Sequence, residues 1–246
     1  MNVFKVVQSP RGPRLLNIEA EVSTNFAMSG LGANMHGKQI AIAVGSRGIA
    51  NIPIIVKSVI ECVKASGGTP FIVPAMGSHG GGTAEGQVAL LASLGVTPEL
   101  GAEIRASMDV AEIGRTTHDG PVFLDKNAWE SDGIILVNRI KAHPTFDGPF
   151  ESGLFKMLGI GLGKLRGAKL YHRAMAALDF ETVIGAVART VIGTGKIIGA
   201  IAVLENGSNE TAAVEAIKAC SIEEKEAQLL KLSKSWMLGL PFEDID

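Results

Sequence analysis

Short apolar runs that end in glycine-containing loops recur along the chain, and apolar residues at helical spacing follow these loops. Apolar runs of this length predict buried strands, and their alternation with helices is typical of a parallel sheet. The first unit has a strand at 39–44, a loop at 45–48 and a helix at 54–63. The second has a strand at 71–74, a loop at 77–82 and a helix at 83–94.

The second half of the chain continues the pattern with more helices. The run 133–138 is the strongest strand signal in the sequence, and the polar segment 139–148 follows it. One or two strands are expected around the turn 118–121. The spacing of apolar residues also predicts one further strand, 196–205. It predicts four further helices, at 151–158, 168–177, 180–192 and 221–236.

The N-terminal residues carry a different signal. Residues 3–8 and 15–22 alternate between apolar and polar positions, and a run of turn-forming residues at 9–13 separates them. This pattern predicts an N-terminal β-hairpin. The fold class expected for the chain is therefore α/β, with an open, Rossmann-like, mostly parallel sheet flanked by helices and with a β-hairpin at the N-terminus.

Charge and composition narrow the range of partners. Lys and Arg number 23 and Asp and Glu number 25, so the net charge is -2. Because the sequence contains no block of basic residues, we expect it to bind neither nucleic acid nor an anionic membrane. The two cysteines form no C-x-x-C pair, and a reducing cytoplasmic setting is expected. Arg189 and Lys196 interrupt the apolar stretch 184–204, which favours a helix, a turn and a strand over a membrane span.

Side chains capable of chemistry follow three of the predicted strands. Arg47 comes after the first strand, His79 after the second, and His143 after the strand 133–138. Each of them alone is explained as a solvated loop residue or a hydrogen-bonded histidine. Because ligands bind outside the carboxyl ends of parallel strands, their repetition at equivalent positions favours a common site.

The glycine-rich loop after the second strand leads into a helix N-terminus, where free N–H groups suit a phosphate or a carboxylate. The residues of this candidate anion cradle are Gly77, Ser78, Gly80, Gly81 and Gly82. The loop matches neither the dinucleotide fingerprint nor the P-loop, and glycines at such places also serve tight turns. Common hydrolase motifs are absent from the sequence.

The order and spacing of five residues resemble those of a known family. The residues are Arg47, His79, His143, Lys156 and His172. The interval is 32 residues from Arg47 to His79, 64 from His79 to His143, and 16 from Lys156 to His172. The chain thereby resembles the N-terminal catalytic domain of the nickel-pincer-dependent lactate racemase family. The resemblance spans most of the chain and implies one domain, 1–246, without the C-terminal domain of the family.

The resemblance implies a role for each residue. Lys156 would hold a nickel-pincer nucleotide, a pyridinium-derived mononucleotide, covalently through a thioamide, and His172 would ligate its nickel. His79 and His143 would be the two bases that invert a 2-hydroxy acid such as lactate. Arg47 would clamp the substrate carboxylate and the glycine-rich loop would take the cofactor phosphate. Cofactor-maturation proteins are implied as partners.

The sequence departs from the family pattern at some positions and leaves other functions open. Val44 stands where the family has an acidic residue three positions before the arginine, and Gly80 follows His79 where the family has an arginine.

One alternative function is that of a non-catalytic domain that binds a nucleotide or a small anion. Another is a hydrolase in which His79 and His143 bind an ordinary divalent metal, although no carboxylate has a ligand-like spacing to them.

Overall fold

A five-stranded sheet forms the centre of the protein. The computed structural model describes residues 5, 7–9, 12–145 and 147–238. The strands of this sheet are β1 (Gln39–Val44), β2 (Thr69–Pro74), β5 (Gly133–Arg139), β6 (Ile197–Glu205) and β7 (Thr211–Lys218). Their order is β2-β1-β5-β6-β7, in which the first four strands are parallel and β7 is antiparallel to β6.

Helices cover both faces of the sheet, and a two-stranded ribbon packs beside it. The ribbon is antiparallel and consists of β3 (Val110–Arg115) and β4 (Pro121–Asp125). The helices are α1 (Ile18–Ser29), α2 (Ile52–Ala65), α3 (Ala84–Ser93), α4 (Lys126–Glu130), α5 (Leu154–Lys156), α6 (Lys164–Ala174), α7 (Phe180–Gly193) and α8 (Ile222–Trp236). A π turn at Met157–Gly161 continues α5.

Each face of the sheet has its own hydrophobic core, because successive strand residues point to opposite sides. In β1, Ile40, Ile42 and Val44 pack in the core that contains α1 and α2, whereas Ala41 and Ala43 belong to the core that contains α5, α6 and α7. All five of these residues are fully buried. The near-continuous apolar runs of the sequence therefore reflect strands covered on both faces, as predicted.

The predicted N-terminal hairpin is wrong in its second strand. Residues 18–29, which include most of the predicted strand 15–22, form α1 instead. The side chain of Asn17 accepts a hydrogen bond from the N–H of Ala20, and Gly30 ends the helix with a left-handed backbone. These capping interactions stabilise a helix where the short alternation of the sequence predicted a strand. Val22 and Phe26 are buried on one face of the helix. Half of the other predicted strand, 3–8, lies outside the described residues, and the described residues 5, 7 and 8 are not in a strand.

Most of the remaining predicted elements are confirmed. The ribbon forms around the turn 118–121, and Thr83 caps α3 as expected. The stretch 184–204 divides into the end of α7, a turn and β6. No helix in the described part of the chain combines the length and apolar character needed to cross a bilayer. Strand β7 was not predicted from the sequence.

Candidate active site

The carboxyl ends of three neighbouring strands meet at one edge of the sheet. Strands β2, β1 and β5 are adjacent in that order, and each continues into a loop that carries one predicted residue. Arg47 follows β1, His79 follows β2 and His143 follows β5. The order of strands along the chain reverses between β1 and β5, and open α/β sheets bind their ligands at such a reversal.

Lys156 and His172 reach the same place from two helical segments. Lys156 is the last residue of α5, and His172 lies near the C-terminal end of α6. Together with the three loops they enclose an open space of about 480 Å³, which we call the strand-end cleft. The polar residues that line it are Ser46, Arg47, Ser78, His79, Asn138, Arg139, Lys141, His143, Ser152, Lys156 and His172.

The strand-end cleft thus brings together all five residues whose spacing suggested a site. Its lining is rich in cations and imidazoles, and none of the described residues that line it is an aspartate or a glutamate. Two of its cations have partners that do not line the cleft: Arg139 forms an ion pair with Glu205, and Lys141 donates to the side chain of Asn209 at 3.1 Å. The cleft therefore presents positive potential to an anionic ligand.

The ammonium group of Lys156 is destabilised in this surrounding. Burial lowers the pKa of Lys156 below its usual value, and the positive charge of Arg47 lowers it further. A larger fraction of the amine is consequently unprotonated near neutral pH than for an exposed lysine. An unprotonated amine is the form that attacks an electrophilic carbon.

The pKa of each of the three histidines in the cleft is lowered. Desolvation lowers the pKa of His79, and the charges of Arg47 and Lys156 add to this effect. Desolvation also lowers the pKa of His143 and of His172, with Lys156 as the next cause in both. All three imidazoles are therefore predominantly neutral at pH 7, so they are able to accept a proton or to bind a metal.

Hydrogen bonds fix the orientation of the two histidines that were predicted as bases. The Nδ1 atom of His79 is hydrogen-bonded to the hydroxyl of Ser46. The Nδ1 atom of His143 accepts the backbone N–H of Thr145 at 3.2 Å, and the backbone N–H of His143 donates to Glu151 at 2.6 Å. A neutral His143 that accepts at Nδ1 carries its proton on Nε2.

A buried polar network supports the loop of His79 from below. The side-chain amide of Gln87 donates to the carbonyl of Gly77 at 3.0 Å and to the carbonyl of His79 at 3.3 Å. The ammonium group of Lys164 donates to Gln87 at 2.7 Å and lies 3.3 Å from the carboxylate of Asp125. Lys164, Asp125 and Gln87 are fully buried, so the network has a fixed geometry.

The π turn ties α5 to the same loop. The N–H of Leu162 donates to the carbonyl of Met157 at 2.8 Å, which is the five-residue spacing of a π turn. The carbonyl of Gly161 accepts the N–H of Gly77 at 2.9 Å. The segment that carries Lys156 is thereby joined directly to the loop after β2.

The glycines of the candidate anion cradle have a conformational role in this loop. Gly77, Gly80, Gly81 and Gly82 all have positive φ angles, and a side chain at Gly80 would lie 2.6 Å from the backbone of α3. Of the loop, Ser78 and His79 line the cleft, and the four glycines are not among the lining residues. Their predicted contact with a cofactor phosphate stays a prediction.

The donor set bears on the kind of metal that the cleft could hold. Among the described residues, no group of three or more His, Cys, Asp or Glu side chains is placed to bind a metal ion. A protein-only site for a divalent ion of a hydrolase needs at least three such ligands. The described residues therefore provide no such site in the cleft.

Comparison with known families identifies the family of the chain. The sequence model of the lactate racemase N-terminal domain matches residues 31–182, which include all five site residues. The chain belongs to this family. A search of curated protein sequences finds no match to the chain.

A solved structure shares the fold of this lactate racemase N-terminal domain. The lactate racemase apoprotein from Thermoanaerobacterium thermosaccharolyticum superimposes with a TM-score of 0.68 over 92% of this chain, with 14% sequence identity. The matched region is 58% of the length of that protein, so the chain spans less than two thirds of it. At this identity the likeness shows the common α/β fold.

Several residues that shape the site are not predicted from the sequence. The sequence predicts Ser46 only as part of a loop, although it contacts His79. Asn138, the penultimate residue of β5, donates to the carbonyl of Gly153 at 2.7 Å and lines the cleft. A polar residue at the end of an otherwise apolar strand was the available signal for Asn138. Glu151 gave none, because a carboxylate eight residues after His143 forms no distinctive sequence pattern.

Proposed function

We propose that the chain is the catalytic domain of a racemase or epimerase that acts on a 2-hydroxy acid such as lactate. The observation that carries this proposal is the convergence of Arg47, His79, His143, Lys156 and His172 on one cleft from five separate segments. Family membership makes a racemase the expected activity, and the residue types match the chemistry that inversion requires. The substrate and the cofactor are part of the proposal.

Arg47 would bind the carboxylate of the substrate. Its guanidinium group has a planar fork of donors, which matches a carboxylate better than the ammonium group of a lysine does. Arg47 is exposed in the cleft and lies close enough to His79, His143 and Lys156 to affect the pKa of each. A carboxylate bound there would place the adjacent α-carbon among these groups.

The two histidines would transfer the hydroxyl proton on opposite sides of the substrate. Inversion through a planar 2-oxo intermediate needs one group that takes the hydroxyl proton and another that returns a proton to the oxygen. The hydrogen bond to Ser46 occupies Nδ1 of His79 and leaves Nε2 toward the substrate, whereas His143 carries its proton on Nε2. In the tautomer in which Nδ1–H of His79 donates to Ser46, the pair would provide one base and one acid in the neutral state.

Lys156 and His172 would hold the nickel-pincer nucleotide. The lowered pKa of Lys156 makes its amine available for a covalent bond, and neutral His172 is a suitable nickel ligand. When bound, this group supplies a pyridinium ring that accepts a hydride from the α-carbon and returns it. The residues of the chain would orient the substrate and move its proton.

Intact-mass spectrometry together with nickel analysis tests this function. The chain would be produced together with a pathway that synthesises the nickel-pincer cofactor, and Lys156→Ala and Lys169→Ala would be prepared in parallel. A mass increment and stoichiometric nickel are expected in the wild type and in Lys169→Ala, and both are expected to be lost in Lys156→Ala. Inversion of lactate and related 2-hydroxy acids would then be measured on the loaded protein.

A non-catalytic anion-binding domain is the second candidate, and the cationic lining of the cleft favours it. This function requires neither an adduct on Lys156 nor nickel. An unmodified chain without nickel, in a host that loads a known member of the family, would contradict the racemase proposal. Calorimetric binding of a nucleotide or a small carboxylate, lost in Arg47→Ala, would then support the second candidate.

A further inference from the structure

The C-terminal helix α8 contacts two segments of the strand-end cleft, although it lies beyond the residues 31–182 that the family model matches. It packs against the side of the sheet that carries α5 and α7, with Ile222, Leu229 and Leu230 in the core. Two polar side chains on this helix, Glu226 and Lys234, extend from it toward the site. Neither of them lines the cleft.

Glu226 binds the first turn of the helix that ends in Lys156. It is fully buried, and its carboxylate accepts the backbone N–H of Phe155 at 2.9 Å and the N–H of Leu154. Its other oxygen approaches Gly153 so closely that a β-carbon at that position would lie 1.9 Å from it. Glycine at 153 therefore permits the contact, and the carboxylate satisfies N–H groups that the short helix leaves without internal partners.

Lys234 acts on the other segment through Glu151. Its ammonium group lies 2.6 Å from one oxygen of Glu151 and 2.9 Å from the carboxylate of Asp147. The second oxygen of Glu151 accepts the backbone N–H of His143 at 2.6 Å. The side chain of Glu151 is almost completely buried, so the pair transmits the position of α8 to the loop of His143.

We propose that α8 is a positioning element of the active site, in which Glu226 sets the position of Lys156 and Lys234 sets that of His143. The roles of Lys156 and His143 in catalysis rest on the proposed function, but their placement by α8 does not. The helix thus contributes to the site without touching a substrate or a cofactor.

Two substitutions of Glu226 separate the reach of the side chain from its ability to ionise. Glu226→Asp shortens the side chain by one methylene, so it cannot reach Phe155, whereas Glu226→Gln keeps the reach and cannot ionise. The readouts are amide hydrogen exchange of Leu154 and Phe155 and the pH dependence with which an amine-reactive reagent labels Lys156, both on the cofactor-free chain. Glu224→Asp, on the exposed face of α8, is the matched control.

Positioning by Glu226 predicts a specific pattern. In Glu226→Asp, exchange of the two amides is expected to be about tenfold faster, as for the loss of one ordinary hydrogen bond, and the labelling pKa of Lys156 is expected to rise toward its usual value. Glu226→Gln and Glu224→Asp are expected to match the wild type in both readouts. A folded Glu226→Asp with unchanged exchange and unchanged labelling would overturn the role of Glu226.

The ion pair between Lys234 and Glu151 provides a second test, in which the substituted residue, Lys234, is exposed. In Lys234→Met, exchange of the His143 amide is expected to be several-fold faster, whereas Lys231→Met, on an exposed position of the same helix, is expected to have no effect. Equal exchange in the two variants would overturn the role of Lys234. Because no readout uses nickel, cofactor or substrate, a failure of the racemase proposal would leave these results unaffected.

Discussion

The hydroxyl of Ser46 and the Nδ1 atom of His79 are hydrogen-bonded between the loops of two adjacent strands, 33 residues apart in the sequence. Strands β1 and β2 are paired along their whole length up to Val44 and Pro74, so the two loops leave the sheet side by side. The bond leaves Nε2 of His79 for a reactant. An exposed loop histidine thereby has a defined orientation.

Ser46→Ala is expected to lower kcat for inversion of the substrate by about tenfold to a hundredfold, because His79 loses the partner that orients it. The KM value is expected to change little, since Arg47 is untouched. Steady-state kinetics of the loaded enzyme measures both constants, and Ser46→Thr, which keeps a hydroxyl, is expected to restore most of the rate. A hydroxyl-independent rate, equal in the alanine and threonine variants, would contradict this prediction.

Lys156→Met is expected to raise the pKa of His79 and of His143, because the charge of Lys156 lowers both in the unmodified chain. Histidine titration by NMR in the cofactor-free protein measures the two values, with Lys169→Met as the control. Histidines whose pKa is lower in the folded than in the unfolded state bind fewer protons when folded. Their contribution therefore makes stability fall as the pH drops below about 6.5, and less steeply in the Lys156→Met variant.

Lys164→Met is expected to destabilise the protein by about 3–5 kcal/mol, because it leaves the carboxylate of Asp125 buried without its ion partner. The double variant Lys164→Met with Asp125→Asn is expected to be less destabilised than the single variant. Urea unfolding of the three proteins measures the difference. Simple additivity of the two substitutions would show that the buried pair is not coupled.

Glu226→Gln is expected to change how stability depends on pH. Burial raises the pKa of Glu226 from its ordinary value near 4.5 to about 8, so the folded state holds a proton that the unfolded state has already lost. Stability of the wild type therefore decreases between pH 4.5 and 8 on account of this group, by at most about 5 kcal/mol for a gap of that size.

The glutamine variant lacks this loss. Relative to the wild type, it is expected to gain stability as the pH rises from 5 to 8.5, and chemical unfolding at the two pH values measures the change. Glu224→Gln, which alters an exposed carboxylate of the same helix, is expected to show no such gain. Parallel pH profiles for wild type and Glu226→Gln would mean that Glu226 is ionised throughout this range.

The sequence predicted the architecture well because buried strands and capped helices leave local signals. The run 133–138 and the N-cap Thr83 are examples, and both elements formed where expected. The hairpin was wrong because an alternating stretch of eight residues also fits one face of a helix once Asn17 caps it. Local patterns alone did not decide between the two.

The candidate site was predicted in part for a different reason. Arg47, His79 and His143 could be placed together because parallel strands share one carboxyl edge. Lys156 and His172 depended on family spacing, since a helical lysine or histidine alone has no distinctive pattern. The contacts of Glu226 with Phe155 and of Lys234 with Glu151 join segments that are distant in sequence, and only the folded chain shows them.

The π turn after Lys156 constrains how the chain can change in length. A π turn contains one more residue than the α-helical turn it replaces, so deletion of a single residue within Met157–Gly161 would restore a regular helix. The deletion would rotate Lys156 by about 100° around the helix axis relative to His172. We therefore expect related sequences to keep the number of residues between these two positions and to carry their insertions and gaps elsewhere.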